Sequence, residues 1–160
     1  MKTNKHVIWD FVSKNQKRFQ ELADKVWSTP ETCYSEQNSM SAHVDELIYH
    51  GFSVTKGIAN IPTAVVGEYG TDGPIIAFLG EYDALAGLSQ KADVFHQDPV
   101  KKGENGHGCG HNLLGSASMQ AAVALKEWLK DSNLPGVVRY YGCPAEEGGA
   151  AKTFMVRDKI

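Results

Sequence analysis

The stretch Pro74-Ile75-Ile76-Ala77-Phe78-Leu79-Gly80 most constrains what this chain can become. It is apolar without interruption, too short for an ordinary helix, and bounded by the turn-forming sequence GTDGP on one side and polar residues on the other. A continuous rather than alternating apolar run is the pattern of a strand covered on both faces, so residues 75–79 are expected to form a central strand. Two further apolar stretches, 52–55 and 63–69, precede it at short intervals, and VVRYYG at 137–142 follows a Pro135-Gly136 break; all read as strands.

Helical periodicity frames these strands. Ile8, Phe11, Val12, Phe19, Leu22 and Val26 recur near the 3.6-residue period, predicting a helix over 5–27 that Pro30 ends. A second helix, with Val44, Leu47 and Ile48 on its apolar face, runs to His50-Gly51, where the glycine suits a C-cap. Residues 113–129 carry Leu114, Ala117, Ala121, Leu125 and Trp128 in one stripe, and 150–156 form a last short helix. The order ααβββαβα predicts an α/β sandwich with helices on both faces of a mixed, mostly parallel sheet. Residues 86–108 are polar and aperiodic, and a loop of that length is either functional or disordered.

Composition excludes several classes. Of 160 residues, 42% are hydrophobic and 22% charged, an ordinary globular balance. The net charge of -3 comes without a Lys/Arg cluster, so no nucleic-acid partner is expected. No apolar run is long enough for a membrane span or a secretory signal. Cys33, Cys109 and Cys143 are an odd, irregularly spaced set, which argues against a disulfide framework and for a reducing, cytoplasmic compartment.

Three clusters can carry chemistry. In NGHGCGHN, His107, Cys109 and His111 lie just before a helix, and thiolate and imidazole two residues apart are good ligands for a zinc-like ion; the alternative is a glycine-rich turn with incidental polar residues. In CPAEEGGA, the adjacent Glu146 and Glu147 follow a strand and cannot both point the same way, so one can bind metal while the other faces substrate as general base. A bare Glu-Glu pair is more often a solvated acidic loop, and this one gains weight only beside the first cluster. In GEYDALAG, Asp83 leaves the end of a strand, a position from which it can orient a metal-bound imidazole, and Glu81 could serve similarly. His6, His43, His50 and His96 read as surface residues, and Cys33 and Cys143 as buried small side chains.

Taken together, LGEYDALAGLSQ, GENGHGCGHNLLG and VRYYGCPAEEGGAAKTFMVRD resemble the aminoacylase and carboxypeptidase family of two-metal peptidases and amidohydrolases, and the likeness extends upstream through VWSTPETCYSEQNSM and GIANIPTAVVG. The resemblance implies that Cys109, His111 and Glu147 are metal ligands, that Glu146 is the general base, and that Asp83 acts from behind the ligands. It implies two divalent ions, Mn2+ or Zn2+, and hydrolysis of an amide such as p-aminobenzoyl-glutamate or a related N-acyl amino acid. Asn112, after the Gly-His pair, follows one subgroup's variant. The implied partners are that small substrate and either a related companion subunit or a second copy of the chain in a homo-oligomer. Family members continue for several hundred residues and supply two further histidine ligands, the last strands and a lid or dimerisation domain. Residues 1–160 are therefore expected to be the N-terminal portion of a zinc-peptidase-like catalytic domain, inactive alone. A non-catalytic metal- or partner-binding module is the competing expectation. A redox or structural-zinc protein is disfavoured by the absence of any C-x-x-C spacing.

Overall fold

The computed structural model describes residues 4–160. Its elements are α1 (Asn4–Trp27), α2 (Gln37–Tyr49), β1 (Ser53–Lys56), a 3-10 turn (Ile58–Asn60), β2 (Val65–Tyr69), β3 (Ile75–Glu81), α3 (His111–Asp131), β4 (Val137–Cys143) and α4 (Ala151–Arg157). Each predicted helix and strand is present, with ends shifted by a few residues. The 3-10 turn had no periodic signal.

The stop of α2 shows how local chemistry sets an element's end. Gly51 adopts a left-handed φ of 77°, its N–H bonds the Ile48 carbonyl, and the Phe52 N–H bonds the Leu47 carbonyl. This Schellman arrangement satisfies carbonyls that the helix leaves open, and it delivers Phe52 into the core.

The sheet order is β1-β2-β4-β3. β1 and β2 are antiparallel, as are β2 and β4, and only β3 and β4 are parallel, so the sheet is mixed but not mostly parallel. The reason lies in the connections: the segment from β1 to β2 is short enough only for an antiparallel return, whereas α3 provides the long crossover that a parallel pair requires. β2 and β3 are consecutive but unpaired, because β4 inserts between them. Their connecting turn passes over the start of β4, where the Val137 N–H bonds the Pro74 carbonyl.

Among the described residues β3 lies at an edge of the sheet, where its composition predicts a central strand, and Ile75, Ile76 and Leu79 stand 55%, 43% and 49% exposed. An apolar run reports side-chain character; it does not report which neighbours are present. Helices do cover both faces, unequally. On one face, Phe19, Leu22 and Val26 of α1, Leu47 of α2 and Met119, Val123 and Leu129 of α3 pack with Val138 and Tyr140 of β4. On the other, α4 brings Ala151 and Met155 against Ile58, Ile61, Ala64 and Cys143.

His43 corrects a second expectation. It is fully buried on α2, stacked on Tyr140 and tilted against Tyr82, while Ile48, assigned to the apolar face, is 59% exposed. The buried stripe of α2 keeps Val44 and Leu47 of the expected apolar face and adds Ser39, Ala42, His43 and Glu46. Polar groups enter this stripe because partners wait there: His43 Nδ1 meets Tyr140 Oη at 2.8 Å, and Glu46 forms a two-pronged bond with Arg18.

Candidate metal centre

Parallel pairing of β3 with β4 puts their carboxyl ends side by side, with Glu81 opposite Cys143. The chain leaves β3 through Glu81-Tyr82-Asp83 and leaves β4 through Ala145-Glu146-Glu147, and α3 begins between them at His111. All three sequence clusters thus meet at one sheet edge, as ligand sites in open α/β sheets do.

His111 is the hub. Its ring is buried, and Nδ1 lies 3.0 Å from Asp83 Oδ1 and 3.1 Å from the Asp83 carbonyl. Two acceptors at Nδ1 fix the proton there and aim Nε2 at the acidic cluster. Nε2 is 2.9 Å from Glu81 Oε2, 3.6 Å from Glu146 Oε2 and 3.9 Å from Glu147 Oε1. Asp83, 1% exposed, spends its other oxygen on the Glu147 N–H at 2.8 Å, so a single carboxylate ties the imidazole to the Glu146-Glu147 turn.

Two donor sets share this imidazole. Potential ligand atoms of Cys109, His111 and Glu147 all lie within 4.8 Å of one another, and so do those of Glu81, His111 and Glu146. The first set is the ligand trio expected from sequence. In the second, Glu81 faces Nε2 directly, on the opposite side of the ring from Asp83, a position unlike the one the sequence suggested. Cys109 is exposed, which the left-handed Gly110 (φ 91°) allows by turning the chain just before α3. His107 joins neither set: its Nε2 lies 3.1 Å from the Val26 carbonyl, anchoring the glycine-rich loop to the end of α1.

The electrostatics are those of an acidic nest. Hydrogen bonding to Asp83 raises the His111 imidazole, with Glu81 assisting and burial opposing. Burial pushes the Asp83 carboxyl up, but His111 and the Glu147 N–H outweigh it and hold the group below its ordinary value. The Cys109 thiol is raised first by its hydrogen bond to Glu147, then by desolvation and the surrounding carboxylates. Among the described residues, Lys152 of α4 answers these acids by forming an ion pair with Glu81. Nothing in the sequence marked Lys152, because its role depends on where α4 docks. Cys33, expected to be a buried small side chain, is only half-buried, with Sγ 3.8 Å from Asp83 Oδ2 and 3.4 Å from the Glu147 carbonyl. Cys143 is buried as expected, its thiol pushed up to about 12 by desolvation.

The donors fit a divalent ion. Glu147 Oε1 is buried without a hydrogen-bond partner, a costly state for a carboxylate oxygen unless a cation meets it. Nitrogen, thiol sulfur and carboxylate oxygen together suit zinc, and imidazole with carboxylates also accepts manganese.

The loop over 86–108 is built rather than shapeless. A bridge pairs Leu85 with Gly106, the Ser89 N–H bonds the Glu104 carbonyl, and Lys91 pairs with Asp98 at 2.8 Å. It delivers Cys109 to the site.

No family model matches the chain. It is 49% identical over 153 residues to one of the subunits of the p-aminobenzoyl-glutamate hydrolase of Escherichia coli, covering 96% of this chain and 32% of that protein. It is 28% identical to the human Xaa-Arg dipeptidase, covering 91% of the chain and 33% of the enzyme. Its fold matches the crystal structure of a Bacillus subtilis protein described as a dinuclear metal-binding peptidase of the M20 family, with a TM-score of 0.68 and 23% identity over 91% of this chain and 40% of that one. The chain spans about a third of the length of the curated relatives it matches. Along nearly its whole length the chain is thus similar to this hydrolase subunit, and it shares its fold with a solved peptidase described as a member of the M20 family.

Proposed function

We propose that residues 1–160 form the N-terminal portion of the catalytic domain of a metal-dependent amidohydrolase, which cleaves the amide of p-aminobenzoyl-glutamate or a related N-acyl amino acid. The observation that carries this reading is His111 Nε2 shared between two donor sets, with the unpartnered Glu147 Oε1 beside it. Cys109, His111 and Glu147 would hold one ion and, with Glu81, approach a second. Two divalent ions, Zn2+ or Mn2+, would polarise the scissile carbonyl and make water nucleophilic near neutral pH.

The chain's own residues supply the rest. Asp83 holds the His111 tautomer and, through the Glu147 N–H, the orientation of the acidic turn. Glu146 is the general base: its side chain is 45% exposed, the most open of the cluster's glutamates, so water and substrate can reach it. A carboxylate so placed can take a proton from the attacking water and return it to the leaving amine. Lys152 restrains Glu81 and tempers the negative charge that the anionic glutamate of the substrate would meet.

The activity belongs to the longer protein, with remaining ligands and a lid from outside these residues, and with a related companion chain or a second copy as partner. The E. coli relative is named as one of a hydrolase's subunits, which supports such a companion. Free cysteines support the cytoplasm as compartment, and among the described residues no helix is long and apolar enough to cross a membrane. The test is metal content and p-aminobenzoyl-glutamate turnover, for the 160-residue chain and for the chain extended to the length of its relatives, each with Glu146→Gln. Metal retention by both, with turnover only in the extended protein and lost in Glu146→Gln, is expected. Turnover by the 160 residues alone would refute the assignment of missing ligands, and failure of both to retain metal would refute the metal centre.

A further inference from the structure

Residues 30–36, Pro-Glu-Thr-Cys-Tyr-Ser-Glu, connect α1 to α2 and run behind the acidic nest. They touch every segment that carries a donor. The Pro30 carbonyl accepts Asn105 Nδ2 at 3.1 Å, in the loop leading to Cys109. The Glu31 carbonyl accepts the Ala84 N–H at 2.8 Å, one residue past Asp83. Cys33 Sγ faces the Glu147 carbonyl, and Tyr34 Oη donates to the Gly149 carbonyl at 2.5 Å. Glu36 Oε1 accepts both the Tyr34 and Ala145 N–H groups, each at 2.9 Å. At the far end the Glu31 carboxylate accepts the Asn38 and Ser39 N–H groups, tying this strap to α2.

Glu36 is the member least explained by packing. It is 0% exposed, and burial pushes its carboxyl up against the opposing Thr63 side chain and Tyr34 and Ala145 N–H groups, a cost that an apolar side chain would avoid. Its partner Ala145 holds a left-handed φ of 55°. For a residue with a Cβ that conformation is unfavourable and persists only where the surroundings enforce it. Glu146 and Glu147 leave directly from this turn, so the peptide that Glu36 grips sets the direction of both.

We propose that Glu36 is a positioning residue for the metal centre: by gripping the Ala145 N–H it fixes the turn that aims Glu146 and Glu147 at His111, while the rest of the strap holds the other two donor segments in register. This inference rests on the metal-centre reading above. It assigns Glu36 no contact with metal or substrate; it acts through the turn. Glu36→Gln keeps one acceptor oxygen in place for both N–H groups, whereas Glu36→Asp keeps the charge but is one methylene too short to hold them.

The test uses the 160-residue chain with two readouts. Hydrogen exchange measures protection over residues 145–149, and titration with Co2+ measures affinity together with the thiolate charge-transfer band that Cys109 ligation gives. Glu36→Ala and Glu36→Asp are expected to lose protection at 145–149 selectively and to weaken Co2+ binding about 10-fold or more, the usual effect of removing support behind a ligand. Glu36→Gln is expected to restore both. Should Glu36→Ala not fold, Glu36→Asp decides alone. Wild-type affinity and protection in Glu36→Asp would overturn the proposal, as would protection lost evenly along the chain with Co2+ affinity unchanged, the mark of a merely structural role. If the wild-type 160-residue chain binds no Co2+, the same titration on the chain extended to the length of its relatives decides: failure there too would sink the metal-centre reading, and the exchange data would still decide whether Glu36 orders the turn.

Discussion

His43 couples the stability of this fold to pH in a way that can be worked from its surroundings. Tyr140 Oη lies 2.8 Å from His43 Nδ1 and 3.3 Å from the Gly115 carbonyl, and both contacts are satisfied when a neutral Nδ1-H donates to the hydroxyl and the hydroxyl donates to the carbonyl. Nε2 is then a buried lone pair without a partner, with no acceptor for the proton it would gain. Burial accordingly drives the imidazole down to about 3, with Glu46 opposing only weakly. An unfolded chain takes up this proton near 6.5. The depressed value means that the contribution is fully present above pH 6.5 and is lost as pH falls toward 3. At about 1.4 kcal/mol per pH unit the loss reaches roughly 2 kcal/mol by pH 5 and on the order of 5 kcal/mol by pH 3. Urea unfolding followed by circular dichroism at about pH 7 and pH 5, on wild type and His43→Gln, measures it. The variant should be less stable at the higher pH, having lost ring packing, yet its drop between the two should be smaller by about 2 kcal/mol. The paired comparison cancels the other titrating groups, which are common to both proteins. Equal drops would refute the reasoning, showing that the ring protonates in place or that the pocket opens before it does.

Other outcomes follow from the same geometry. In metal-free protein, Asp83→Asn should return the raised His111 imidazole toward 6.5 in an NMR titration. The stabilisation that wild type draws from this pair is present below 6.5 and lost as pH rises through the raised value. Glu147→Gln should leave metal-free thermal stability unchanged or higher, because it removes the negative charge from a carboxylate whose buried Oε1 has no partner, while weakening Co2+ binding about 10- to 100-fold in a spectroscopic titration. A drop in metal-free stability would count against the unpaired carboxylate. Gly115→Ala would place a Cβ 2.4 Å from the Glu81 carbonyl oxygen and 2.7 Å from His43 Cε1, pushing α3 off the sheet. A loss of about 1–3 kcal/mol in urea unfolding is expected, and a neutral substitution would show that α3 can shift freely.

The sequence by itself determined the features whose causes are local. The helices α1 and α3, the Gly51 stop of α2 and the turn before β3 each arise over a few neighbouring residues and are present as expected, but α3 buries Gly115, Met119, Ala122, Val123 and Leu129 and leaves Leu114 and Ala117 of the expected stripe exposed. The resemblance to the hydrolase subunit was legible in the motifs, and so were three groups of candidate residues. Tertiary structure decided what each group faces. Asp83 and His111 are 28 residues apart, Asp83 and Glu147 are 64 apart, and Glu36 and Ala145 are 109 apart, so their meeting depends on how β4 inserts beside β3 and where α4 docks. The same arrangement left β3 at an edge, buried His43 under Tyr140 and brought Lys152 to Glu81. Periodicity records which side chains favour burial or solvent, but a polar group's burial is settled by the partner that meets it. That partner lies far along the chain and leaves no mark on the local pattern.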